Sequence, residues 1–155
     1  MMNPPFGFDA PEDSPGFLLW QTSTSWHRLI KKALDPHDIS HAQFVIMAIL
    51  LWWHGQKKDV TQIDIIGMSK LDKMTVSKSL KKLVGMDLVL RRENQEDTRA
   101  KSVQLTKSGV ALAHKLVPIV EGVDAVFFDQ VPKKQEKDLI TILQKLTVTE
   151  DAKKT

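Results

Sequence analysis

The chain has 155 residues, 42% apolar and 26% charged, which is the size and composition of a single folded domain and excludes a fibre, a disordered chain or two independent enzyme domains. It contains no cysteine, so disulfides, Cys-ligated zinc, iron–sulfur clusters and thiol catalysis or redox sensing are excluded. The formal net charge of +3 is local: residues 70–107 hold ten Lys and Arg against five Asp and Glu, whereas the remainder holds twelve against fourteen, so an anionic partner is expected at one surface.

Four of the seven prolines fall within the first fifteen residues, Pro4, Pro5, Pro11 and Pro15, and predict an extended arm over residues 1–15. That stretch carries Asp9, Glu12 and Asp13 and no cationic start, unlike a secretory signal, so a cytoplasmic protein is expected. Phe17 to Leu34 reads as a helix with Trp26, Leu29, Ile30, Ala33 and Leu34 as its apolar stripe, closed by Asp35-Pro36. Ser40 with Gln43 three residues on fits a capping box opening the apolar run Phe44 to Trp53. At ten residues that run is about half of what a bilayer demands, so no membrane span is expected.

Thr61, with Asp64 three residues on, is expected to cap a short helix reaching about Ser69, and Asp72 to cap the next. Behind Asp72, Val76, Leu80 and Leu83 recur at i, i+4 and i+7 as one buried face, leaving Lys73, Thr75, Ser77, Lys78, Lys81 and Lys82 elsewhere on the helix. Leu88 to Leu90 and Ser102 to Leu105 read as two short strands joined by a charged loop, Arg91 to Lys101, the pattern of a β-hairpin. Helical spacing returns from Thr106, with Pro118 as an expected kink, and a last helix after Pro132 carries Leu139, Ile142, Leu143 and Leu146.

Two short helices around a tight turn, the second basic and hydroxylated, followed by a basic hairpin, are the order of a winged helix-turn-helix. A helix fits the major groove of B-DNA, where Ser, Thr and Lys reach base edges and phosphates, and an Arg-bearing tip suits the narrow, electronegative minor groove. The fold class expected is mainly α (α+β), and the partner double-stranded DNA. On the second helix the candidate contacts are Lys73, Met74, Thr75, Ser77, Lys78 and Lys81. On the wing they are Arg91, Arg92, Asp97, Arg99 and Lys101.

Thr61-Gln62, Leu71 to Ser77, Leu83 to Val89, Arg91-Arg92, Asp97-Thr98-Arg99, and Leu105-Thr106 followed by Gly109 together resemble the MarR family of bacterial winged-helix regulators. The resemblance covers roughly Phe17 to Leu146 and is most specific in the wing, where Asp-x-Arg precedes Leu-Thr-x-x-Gly. It implies that Arg99 enters the minor groove, that Asp97 holds the wing through ion pairing, and that the protein is a homodimer on palindromic operators, released by a small, often phenolic, effector. The chain departs from the family pattern at Ile66, where a small residue is usual, and at Asp87, where Gly is usual. Asp tolerates a left-handed turn better than most residues, so the turn is expected to persist.

A single winged-helix domain is therefore expected over residues 16–147, with a DNA-binding lobe at about 40–106, dimerisation helices at about 16–34 and 107–147, and a flexible tail at 148–155. The apolar stripes of the outer helices exceed what the central lobe can cover, which independently suggests a symmetric partner. Trp20, Thr24 and His27 share one helical face and are candidates to line an effector pocket against Phe44 and Met47, suited to an aromatic or carboxylate ligand. Such residues are more often simply core and dimer interface, and His27 or His41 could instead sense pH. His37 and His41 are four apart, but one lies in a turn and the other in a cap, and no HExxH, phosphate loop or GxSxG accompanies them, so neither a metal, a cofactor nor catalysis is expected. The alternative reading is a winged helix that grips a protein or RNA without an effector.

Overall fold

In the computed structural model residues 3–56, 59–93 and 101–152 are described. Helix α1 (Pro15–Leu34) starts where the Ser14 hydroxyl accepts the Phe17 N–H at 3.2 Å and Pro15 takes the first turn, where a missing donor costs nothing. It buries Ile30 and Leu34 at its C-terminal end. A 3₁₀ turn at Asp35–His37 and a left-handed Asp38 (φ 55°) then redirect the chain.

Helix α2 (His41–Trp52) opens in the expected capping box, in which the Gln43 N–H donates to Ser40 Oγ at 3.1 Å and the Ser40 N–H donates to Gln43 Oε1 at 2.9 Å. Phe44, Ile46, Met47 and Leu50 are buried on it, and α1, α3 (Gln62–Ser69) and α4 (Lys73–Gly85) pack around it. Thr61 and Asp64 cap α3 reciprocally at 2.9 and 3.1 Å. The stripe Val76, Leu80 and Leu83 of α4 is fully buried, as its spacing demands.

Strands β1 (Val60–Thr61), β2 (Val89–Glu93) and β3 (Lys101–Leu105) form an antiparallel sheet in the order β1-β3-β2. The hairpin strands are longer than expected, because Arg91 pairs with Val103, Arg92 with Ser102 and Glu93 with Lys101. Arg91 and Arg92 are thus strand residues, not loop residues. Strand β1 is not foreshadowed by sequence pattern, since two residues are too few to show alternation.

The hairpin is locked to helix α5 (Lys107–Phe128) by the Leu-Thr-x-x-Gly segment. The Thr106 hydroxyl donates to the Asp87 carbonyl at 2.7 Å and accepts the Gly109 N–H at 2.9 Å, while the Thr106 N–H donates to the Leu88 carbonyl at 3.0 Å. Asp87 holds the left-handed turn (φ 61°) that its position requires. At Gly109 a Cβ would overlap the Leu88 carbonyl oxygen, so only glycine lets the first turn of α5 approach the hairpin this closely. Gly109→Ala is expected to destabilise the fold by about 1 to 3 kcal/mol, from overpacking against backbone that cannot yield. A urea midpoint equal to that of the wild type would contradict this close approach.

The chain divides into two compact units, residues 1–120 and 121–155. The second contains the end of α5, where Phe127 and Phe128 meet edge to face at 5.1 Å, and α6 (Lys133–Ala152), which continues past the expected end at 147 into the stretch expected to be a tail. Among the described residues no helix is long and apolar enough to cross a membrane.

Candidate nucleic-acid interface

A left-handed Lys70 (φ 60°) ends α3, and Asp72 starts α4 two residues later, so α3 and α4 are joined by a tight turn. The Asp72 carboxylate accepts the Thr75 N–H at 2.7 Å and the Thr75 hydroxyl at 2.8 Å. The backbone bond first, then the hydroxyl bond, favours the charged form and holds this carboxyl below its ordinary value. A depressed carboxyl contributes stability fully above its unfolded value and loses it as pH falls through the folded one. Asp72→Ala is therefore expected to lower the urea midpoint at neutral pH, with the difference from wild type closing on acidification below about pH 4. A gap that persists in acid would show that the cap acts through something other than its charge.

Lys73, Met74, Lys78 and Lys81 are exposed on α4, and Met74 is 66% exposed. Thr75 and Ser77 are half-buried, and the Thr75 hydroxyl is already engaged by Asp72. Of the wing candidates, Arg92 is exposed and Arg91 is half-buried. Arg91 turns toward α4, where its Nη2 donates to the Ser77 carbonyl at 3.2 Å, and its buried Nε has no hydrogen-bond partner. Asp97 and Arg99 lie outside the described residues. Of Lys101 only the backbone, paired with Glu93, is described.

The residues singled out for an effector pocket are not drawn together as expected. Phe44 is 8% exposed and Met47 is fully buried, because they point from α2 into the core, whereas Trp20 is 70% exposed. His27 borders a cavity of about 420 Å³, but its walls include His41, Asp38, Lys31 and Lys82 and neither Phe44 nor Met47. The approach of His27 to His41 and that of Arg91 to Ser77 each join residues fourteen apart on different elements, and no sequence pattern signals either.

A capped helix, a tight turn, a second helix with an exposed cationic face and an antiparallel hairpin define a winged helix-turn-helix protein. Residues 35–122 match the family model described as the ArnR1-like winged-helix domain. The chain is 35% identical over 128 residues to the uncharacterized HTH-type transcriptional regulator YdcH of Bacillus subtilis, covering 83% of this chain and 87% of that protein. It is 30% identical over 103 residues to the organic hydroperoxide resistance transcriptional regulator of the same species, covering 66% and 67%. Among solved structures, BpsR of Bordetella bronchiseptica superimposes with a TM-score of 0.81 at 21% identity, over 91% of this chain and 98% of that one. A MarR mutant of Escherichia coli in complex with operator DNA superimposes with a TM-score of 0.76 at 23% identity, over 87% and 95%. The chain belongs to the MarR family of winged helix-turn-helix transcriptional regulators. It is accordingly a DNA-binding regulator and not an enzyme.

Proposed function

We propose that the protein is a homodimeric repressor that reads palindromic operators in the bacterial cytoplasm, with α4 in the major groove and the wing, Arg91 to Lys101, in the adjacent minor groove. The observation that carries this reading is the division of α4 into a fully buried stripe, Val76, Leu80 and Leu83, and an exposed set, Lys73, Met74, Lys78 and Lys81. Lysines supply phosphate and base-edge contacts, Ser77 a short hydrogen-bonding group, and Met74 an apolar surface suited to a thymine methyl. Thr75 serves first to hold the helix start. Arg92, Asp97, Arg99 and Lys101 form the wing contribution, with Arg99 in the groove. Arg91 is a positioning residue that ties strand β2 to the backbone of α4 through Ser77, and so sets the spacing between wing and helix.

Two-fold symmetry supports the operator reading, because paired recognition helices about one DNA turn apart, roughly 34 Å, match half-sites of a palindrome. In the unpartnered chain Leu18, Leu19 and Trp20 of α1 and Ile142, Leu143 and Leu146 of α6 are exposed, apolar surface that a second copy would cover. The test is affinity for palindromic genomic fragments, found by footprinting, against structured RNA of equal length. Equal affinity for RNA would overturn the reading in favour of a different winged-helix partner.

An aromatic effector is supported by the BpsR structure, in which DNA binding is regulated by 6-hydroxynicotinic acid. Trp20, Thr24 and His27 are the α1 residues proposed to meet such a ligand; Phe44 and Met47, buried in the core, would reach it only if α1 and α2 shifted on binding. Release requires that the ligand bind the free protein better than the DNA-bound form. Because the chain has no cysteine, peroxide at levels that oxidise thiols is expected to leave operator affinity unchanged. Loss of binding under those conditions, measured by fluorescence anisotropy, would overturn ligand-only sensing.

A further inference from the structure

Helices α1 and α2 meet through two histidines. His27 Nδ1 lies 2.7 Å from His41 Nδ1, with ring centroids 4.7 Å apart and planes at 66°. The Trp26 indole packs 5.1 Å from the His27 ring and edge-on 5.0 Å from the His41 ring, which restrains both imidazoles. His27 is exposed and His41 half-buried, at the wall of the cavity of about 420 Å³. Two ring nitrogens aimed at each other at this distance must share one proton between two lone pairs. A second proton would set two N–H donors head to head, so the pair is a place where one cation is held by two nitrogen donors.

We propose that His27 and His41 form a two-imidazole site for a late divalent transition metal of the nickel(II) and copper(II) class. Imidazole nitrogen suits these ions and zinc, whereas magnesium and calcium call for oxygen. Geometry separates the late metals further. With metal–nitrogen bonds of about 2.0 to 2.1 Å, two ligands at a right angle are roughly 2.9 Å apart and two at the tetrahedral angle roughly 3.3 Å. The observed 2.7 Å needs only a few tenths of an ångström of opening for adjacent positions of a square or octahedral ion, and about twice or three times that for tetrahedral zinc. The formal charges lining the cavity balance, Asp35 and Asp38 against Lys31 and Lys82, and Lys31 is tied to Asp35 at 2.9 Å. Among the described residues no three His, Asp or Glu side chains stand close enough to enclose an ion, so water completes the coordination and the site is open. His37, the partner that the i, i+4 spacing to His41 suggests, sits in the 3₁₀ turn before α2 and not on it. The site does not depend on how the chain reads DNA.

Calorimetric titration of the full-length protein with nickel(II) chloride at neutral pH tests the proposal, with zinc(II) and magnesium(II) chlorides as comparisons. The expected result is one nickel ion per chain, weaker binding of zinc and none of magnesium, with tryptophan fluorescence partly quenched in step, through Trp26 of the chain's four tryptophans. His27→Gln and His41→Gln should each weaken nickel binding at least tenfold, and exposed His54→Gln should leave it unchanged. Binding competes with the shared proton, so affinity should fall on acidification. Copper(II) electron paramagnetic resonance on the wild-type protein, which needs no variant to fold, should show coupling to two imidazole nitrogens. Nickel binding undiminished in both histidine variants, no binding by the wild type, or a copper signal without nitrogen coupling would each overturn the assignment.

Discussion

Removal of residues 133–155 is expected to leave a monomeric or aggregating protein that no longer binds its operator. In the unpartnered chain α6 exposes Ile140 at 49%, Ile142 at 54%, Leu143 at 39% and Leu146 at 59%, more apolar surface than an isolated helix face usually leaves in water. Full burial of such a side chain contributes roughly 1.5 to 3 kcal/mol and covering its exposed half about half as much, so the four on each of two chains together supply several kcal/mol toward holding the copies together. Operator binding fails with dimerisation because a single recognition helix reads one half-site only. Sedimentation equilibrium and a gel shift on the same samples measure the two losses. Leu143→Asp with Leu146→Asp in the full chain keeps the helix while placing charge in the interface, and it should give the same result. A truncated protein that remains dimeric would remove α6 from the interface.

The second large effect separates recognition helix from wing. Lys78→Ala or Ser77→Ala is expected to cost on the order of 1 to 3 kcal/mol at one or two base positions and to relax preference there. Arg99→Ala should weaken every operator by a similar factor, most at narrow A·T-rich flanks, because a groove-inserted arginine senses width and potential more than base identity. Removing one cation from a DNA phosphate should flatten the slope of log affinity against log salt by roughly 0.9, doubled in a symmetric dimer. Arg91→Ala should behave differently from both. Its guanidinium holds the Ser77 carbonyl, so affinity should fall at all sequences while the salt slope stays nearly unchanged. The measurement is binding to a panel of single-base operator variants at several salt concentrations. If Arg99→Ala left affinity and slope intact while Lys78→Ala weakened all sequences equally, the assignment of helix and wing would be wrong.

What the amino-acid sequence by itself determined here is local in range. Ser40 with Gln43, Thr61 with Asp64 and Asp72 with Thr75 each cap a helix through partners three residues apart, and Val76, Leu80 and Leu83 mark a buried face by spacing alone. Such interactions are closed within one or two helical turns, so residue type and interval carry the whole signal. Asp87 belongs with them, since its left-handed turn depends on its own backbone preference and short side chain. Only the tertiary structure decided the rest. Strand β1 exists because β3 offers Val60 and Thr61 a ladder, not because two residues prefer to be extended. Arg91 and Arg92 entered a strand because pairing with Val103 and Ser102 outweighs their loop-like composition. Phe44 and Met47 went to the core while His27 found His41, because the angle at which α1 meets α2 selects the facing pairs, and that angle is set by many interactions distant in sequence.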